Sequence, residues 1–231
     1  MISKIYVFLC MALGVFLVTW CTWSWWVPIQ SPVIETQKET ITKRIFVLWD
    51  SLSAWYQLPY EDSYPAQLEK LLQDAWYTIK VINGGESGDT SEWLVSRIWR
   101  ITADAQSGDI ALIVIGGNDG LQWRSTQALA DNIKKIVSDL QSRNIQTIIW
   151  GMQIPTNLGE DYRTAFAQVY PYVARETDSV LIPFILSWVA GIPELNLRDG
   201  IHPNTTGQAI VAQTVFEILV ENKLLDSKEI E

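Results

Sequence analysis

The sequence predicts an α/β protein, a doubly wound three-layer α/β/α arrangement around a five-stranded parallel sheet. Three observations carry that prediction. Short apolar runs alternate with longer segments of helical period through most of the chain. Residues 45–48 and 110–115 are continuously apolar, without the polar alternation of a half-exposed strand, as strands covered on both faces require. The first three such runs end in small Gly-, Asn-, Asp- or Ser-bearing clusters, the chemistry expected at the carboxyl edge of a parallel sheet.

Taken in order, residues 44–49 form the first strand and lead into a loop rich in Ser, Pro and Tyr. A helix follows at Tyr64–Asp74, with Leu68, Leu71 and Leu72 at i, i+3 and i+4. Residues 77–82 read as the second strand, running into Asn83-Gly84-Gly85-Glu86-Ser87-Gly88. Residues 90–103 read as a helix with a Ser or Thr cap. Residues 110–115 are the third strand, ending in the glycine-rich loop Gly116-Gly117-Asn118-Asp119-Gly120. Thr126–Ser142 is amphipathic, with Leu129, Ile133, Ile136, Val137 and Leu140 on one face. Residues 145–150 make a fourth strand, 151–160 a loop, 161–176 a helix, 180–183 a short fifth strand and 206–219 a closing helix. Right-handed crossovers then bring the loops after strands one, two, three and five to one edge, and with them Ser51, Gly88, Asn118 and the Asp199–His202 pair.

Composition narrows the function. The 26 acidic residues against 17 basic ones leave a net charge of −9 with no basic cluster, which argues against a nucleic-acid partner. Both cysteines, Cys10 and Cys21, precede the folded region, and His202 is the only histidine. No disulfide, thiol nucleophile, metal or cofactor is therefore expected in the domain. The chain is expected to act as a monomer on a small-molecule or lipid ester.

The N-terminus reads as an export segment. Lys4 precedes 22 uncharged residues, 5–26, whose densest part has the size of a signal-peptide core. Val18-Thr19-Trp20-Cys21 resembles a bacterial lipobox, with Cys21 the lipidated residue, although Trp20 stands where Gly, Ala or Ser belongs. The expected division is a lipoprotein signal at 1–20, a tether at 21–43, the catalytic domain at 44–225 and a tail at 226–231. An uncleaved signal anchor with an interfacial belt of Trp20, Trp23, Trp25 and Trp26, or plain secretion, remains open. All three place the domain outside the cytoplasm.

A serine hydroxyl becomes a nucleophile when a base takes its proton, a carboxylate orients the base, and donors await the oxyanion. Asp199-Gly200-Ile201-His202-Pro203 offers a carboxylate three residues before the imidazole, stiffened by Pro203. Either Ser51 or His202 taken alone is as compatible with a structural role. Together with the other blocks they resemble the GDSL, or SGNH, hydrolases. The resemblance lies in Trp49-Asp50-Ser51-Leu52-Ser53 (usually Gly-Asp-Ser-Leu-Ser), Gly88-Asp89-Thr90, Gly116-Gly117-Asn118-Asp119 and Asp199-Gly200-Ile201-His202-Pro203, spread over residues 44–222. Gln153-Ile154-Pro155 and the stretch 190–196 resemble the arylesterase and thioesterase/lysophospholipase branch.

That resemblance implies a flavodoxin-like fold and a serine esterase acting on carboxylic esters, thioesters or lysophospholipids through an acyl-enzyme. It makes Ser51 the nucleophile, His202 the base and Asp199 its orienter. The oxyanion hole would comprise the Ser51 and Gly88 amides and the Asn118 side chain, and the loop 153–160 would line the acyl pocket. Asp50 reads as a local hydrogen-bond organiser. A carbohydrate O-acetylesterase, or an inactive surface binding module, stays open as an alternative.

Twelve tryptophans are the anomaly. Trp49 and Trp55 fall where the family block has Gly, Trp20 at the lipobox Gly/Ala position, and Trp23, Trp25 and Trp26 in what would otherwise be a Gly/Ser tether. Trp76 stands where a helix-terminating glycine belongs, and Trp93, Trp150 and Trp188 at other glycine positions of this branch. Trp99 and Trp123 are less diagnostic. Several Gly-to-Trp replacements would overpack a core beyond its margin of stability. The expectation is a gene whose UGA codons specify glycine. If Trp49 and Trp55 are genuine, they could fill the nucleophile pocket, and the inactive-module reading gains.

Overall fold

The computed structural model describes residues 43–54 and 56–225. The lipobox, tether and tail assignments, and Trp55, lie outside the described residues. Five parallel strands form one sheet in the order β2-β1-β3-β4-β5: β1 (Lys43–Trp49), β2 (Ile79–Asn83), β3 (Ile110–Val114), β4 (Gln146–Trp150) and β5 (Val180–Ile182). Helices α1 (Tyr64–Asp74), α2 (Ser91–Ile101), α3 (Gly117–Leu121), α4 (Thr126–Ser142), α5 (Glu160–Glu176) and α6 (Thr205–Glu221) connect and cover it. This is the doubly wound three-layer α/β/α class the alternation predicts.

β1 and β3 are the central pair, registered Ile45 to Ile110 and Leu48 to Ile113, and every residue of β3 is buried. That full burial explains their lack of polar alternation. α1 packs on α6, and α2 and α5 flank α4. Leu68, Leu72, Leu129, Ile133, Ile136, Val137, Leu140, Val211 and Val215 supply the inner helix faces. Among the described residues no helix is long and apolar enough to cross a membrane.

The departures from the expected boundaries have local causes. β2 starts at Ile79 rather than at residue 77, because the Tyr77 N–H closes the end of α1 by donating to Leu72 O at 2.9 Å. Ile145 is likewise withdrawn from β4, its N–H donating to Leu140 O at the end of α4. α2 stops at Ile101 because Thr102 turns its hydroxyl onto Ile98 O at 2.8 Å. Ile115 leaves β3 as its carbonyl accepts from the Tyr170 hydroxyl at 3.0 Å. The short helix α3 is the element missed: its two glycines and five-residue length look like loop. The caps are as expected of Thr90 and are joined by Asn204, whose side chain accepts from Gly207 N at 3.0 Å to start α6.

Candidate active site

The chain leaves β1 at Trp49, and Asp50 to Ala54 form a tight turn in which Ala54 N donates to Asp50 O at 3.2 Å. The loop after β2 is stitched to this turn. Gly84 N donates to Val47 O, Asn83 Nδ2 to Ser53 O at 2.7 Å, and Gly85 N to Asn83 Oδ1 at 3.0 Å. Gly85 must be glycine here: a Cβ would lie 1.9 Å from Ser53 Oγ. Behind the turn, Gln208 of α6 donates to Leu52 O at 3.0 Å and accepts from Tyr64 N at 2.9 Å. Ser51 therefore stands on backbone held from three sides.

Ser51 Oγ lies 2.8 Å from His202 Nε2, and His202 Nδ1 lies 2.8 Å from Asp199 Oδ2. The second carboxylate oxygen of Asp199 accepts from the backbone N–H groups of Ile201, at 2.9 Å, and His202, at 3.0 Å. Burial pushes the Asp199 carboxyl up, but those two amides and the imidazole outweigh it and hold the group below the usual carboxylate range. Gly200, at φ +69°, lets the chain fold back within three residues. Leu197 N donates to His202 O at 2.7 Å, closing the turn. The ring of Tyr56 lies 4.6 Å from the imidazole, a neighbour the sequence did not announce.

Asn118 sits in α3 just past β3. Its Nδ2 donates to Asp89 O at 2.9 Å and faces Asp50 Oδ2 at 3.4 Å. Gly116, at φ +120°, makes the entry to α3, and a Cβ there would meet the Tyr170 hydroxyl at 2.5 Å. Asp119 beside it accepts from Ser91 N and Oγ at 2.8 and 2.6 Å, anchoring α3 to the start of α2. Gly88 takes φ +84° and borders a neighbouring hollow with Asp89, Trp93, Arg97 and Trp99. Its loop is tied to the site through the Asp89–Asn118 bond.

Asp50 is 3% exposed, and its carboxyl accepts from Leu52 N at 3.1 Å. Burial drives its pKa up to about 7; the Leu52 amide opposes this, and nearby Asp89 and Asp119 add to it.

A cleft of about 480 Å³ opens over Ser51, Asn118 and His202. Its apolar wall is Leu121, Met152, Ile154, Phe184, Leu186 and Ile201, and Gln153 to Thr156 of the loop after β4 lie along it as the resemblance implied. Leu121, Phe184 and Leu186 were not singled out in the sequence, where no periodicity marks them as one wall. Trp49 does not line this cleft. It is fully buried, its ring edge-on to Tyr64 at 4.9 Å, so the expectation that it could fill the nucleophile pocket is corrected. Among the described residues no cluster of His, Cys, Asp and Glu could hold a metal ion.

A serine hydroxyl bonded to an imidazole, a carboxylate behind that ring and a side-chain amide nearby, all at the carboxyl edge of a parallel sheet, are the arrangement of a serine hydrolase of the acyl-transfer kind. Residues 49–210 match the GDSL-like Lipase/Acylhydrolase family, and the chain belongs to that family of ester-cleaving enzymes. It is 33% identical over 181 residues to an arylesterase of Vibrio mimicus, covering 78% of this chain and 90% of that protein. It is 32% identical over 189 residues to thioesterase 1/protease 1/lysophospholipase L1 of Escherichia coli K12, covering 81% and 88%. The crystal structure of the psychrotrophic esterase EstA from Pseudoalteromonas sp., inhibited by monoethylphosphonate, superposes with a TM-score of 0.74 at 26% identity, covering 78% of this chain and 98% of that one.

Proposed function

We propose that this chain is an exported, membrane-anchored esterase that hydrolyses carboxylic esters, thioesters or lysophospholipids through an acyl-enzyme on Ser51. The observation that carries the reading is the continuous Ser51–His202–Asp199 chain of 2.8 Å contacts, whose Ser51 and His202 line an apolar cleft. His202 takes the Ser51 proton as Oγ attacks the carbonyl carbon, and Asp199 holds the imidazole with Nε2 facing the serine. The negative charge developing on the carbonyl oxygen is met by the Ser51 amide and Asn118, which line the cleft; the Gly88 amide, on the adjoining loop, is the third donor that the resemblance implies. His202 then protonates the leaving alcohol or thiol, and water repeats the steps to release the acid. The apolar wall suits the acyl chain and favours this reading over removal of acetyl groups from glycans. The relatives' names, an arylesterase and a thioesterase/lysophospholipase, support the substrate range.

Substituting Ser51→Ala should abolish hydrolysis of p-nitrophenyl esters, and undiminished turnover would refute the assignment. Anchoring rests on the uncharged N-terminal run and on Cys21. Cys21→Ala should move the protein out of the membrane fraction, and an unchanged distribution would remove Cys21 from the account.

A further inference from the structure

The amide of Asn118 has two N–H groups, and one is already donated to Asp89 O at 2.9 Å. The other faces Asp50 Oδ2 at 3.4 Å, a long contact that a nearer acceptor would displace. An oxyanion above Ser51 must therefore draw on the same N–H that Asp50 now faces. Asp50 is itself held by Leu52 N on one oxygen and packed so that a Cβ on Gly117 would sit 3.1 Å from the other. These contacts do not involve the Trp49 side chain.

Building on the serine-hydrolase reading, we propose that Asp50 is a positioning residue that governs the oxyanion hole by competing with the substrate oxygen for the second N–H of Asn118. As a neutral acid, Asp50 is a weak acceptor and releases the N–H. As a carboxylate, it holds the N–H through a charge-assisted bond and repels the oxyanion. The burial that raises its pKa to about 7 puts the exchange near neutrality. The groups that bear on it are Asp89 after β2, carrying the Arg97 guanidinium from α2, Asp119 of α3, Tyr64 of α1 and Tyr170 of α5. Both tyrosines are held neutral by burial, so the two acids set the field.

The test compares kcat against pH for the wild type and Asp50→Asn, whose amide mimics the protonated acid. The ratio of variant to wild-type kcat should rise about tenfold from pH 6 to pH 9, a fraction of what loss of one oxyanion donor costs, with KM little changed. A constant ratio overturns the proposal. If the variant does not fold, the wild type answers alone: the side-chain amide resonances of Asn118 should titrate with a midpoint near 7, and a flat response overturns it. Absence of any wild-type esterase turnover would instead sink the hydrolase reading, while the resonance titration still decides the Asp50–Asn118 coupling.

A separate observation concerns the tryptophans. Trp76 and Trp123 take φ +66° and +56°, the left-handed region that an indole-bearing residue rarely adopts. Each ends a helix in the same way. Trp76 N donates to Gln73 O and Tyr77 N to Leu72 O after α1; Trp123 N donates to Gly120 O and Arg124 N to Asp119 O after α3. This two-bond closure puts a left-handed residue, usually glycine, at the first position past the helix. Trp49 and Trp150 are fully enclosed at the ends of β1 and β4, and among the described residues neither indole N–H meets an acceptor. Trp93, Trp99 and Trp188 are exposed and show no such demand, so Trp123 gains diagnostic weight and Trp93 and Trp188 lose it.

We infer that glycine occupies positions 76 and 123 in the protein as made, encoded by UGA, and that the same reading extends to positions 49 and 150. Peptide mass spectrometry on the protein from its native cells, with the four codons read from the gene, tests this. Glycine-bearing peptides and UGA codons are the expected result. UGG codons, or tryptophan in those peptides, overturn it.

Discussion

Two carboxylates stand beside the Ser51–His202 pair, Asp50 next to the serine and Asp199 behind the imidazole, and are held in opposite ways. Asp50 is buried under the nucleophile turn, where burial and two acidic neighbours outweigh the Leu52 amide and its own, and its pKa climbs to about 7. Asp199, in an exposed turn 149 positions later in the numbering, accepts from two amides and the imidazole, and stays below the usual range. Burial pushes both upward, far more strongly at the enclosed Asp50 than at the partly exposed Asp199, where two amides and the imidazole outweigh it. On the proposed mechanism the difference separates two tasks. A carboxylate that must orient a base and stabilise its positive form has to remain charged, whereas one beside an emerging oxyanion serves better uncharged.

The largest effect that can break this contrast lies at Asp199. Replacing it by Asn keeps the shape but favours the wrong imidazole tautomer, and kcat should fall by about 10⁴-fold. A loss under tenfold, measured on a p-nitrophenyl ester, would mean the imidazole is oriented by something else. Asn118→Ala should cost about 10²–10³-fold in kcat with little change in KM, as expected of a donor used in the transition state. An effect confined to KM would assign Asn118 to substrate binding instead.

The smallest effect is on stability and comes from Asp50. Unfolded, its carboxyl titrates at the ordinary 3.8; folded, at about 7. Between these values the folded state holds the extra proton, so stability is greatest below the lower value and falls as pH rises through the upper one. Asp50→Asn removes that penalty. Urea denaturation should find the variant more stable at about pH 8 by on the order of 2–4 kcal/mol, with the advantage shrinking toward about pH 4. An equal difference at both ends would mean that Asp50 ionisation is not coupled to folding.

What could be read in the sequence was whatever is local. Asp199 and His202 lie three residues apart, and Ser51 follows one residue after an apolar strand, so the fold class and the proposed catalytic chain were legible in the sequence. The five-residue α3 was not, because two glycines mask its helical turn and only Asp119 bonding to Ser91 reveals why it forms. The apolar wall of the cleft was equally hidden: Leu121, Met152 and the pair Phe184 and Leu186 come from three separate segments, and only the fold brings them to one cleft. The state of Asp50 depends on atoms from the turn after β1, α3 and the loop after β2 together, and no spacing encodes that. The tryptophans divide along the same line. Position within a motif suggested glycine at Trp49 and Trp76, while only backbone angle singled out Trp123.

The proposed catalytic cycle turns on Ser51 being the nucleophile that His202 activates. A fluorophosphonate probe followed by peptide mass spectrometry measures this directly. The expected result is a single phosphonate adduct on Ser51, present in the wild type and strongly reduced in His202→Ala. An unmodified Ser51 in folded wild-type protein, or an adduct on another serine, would contradict it.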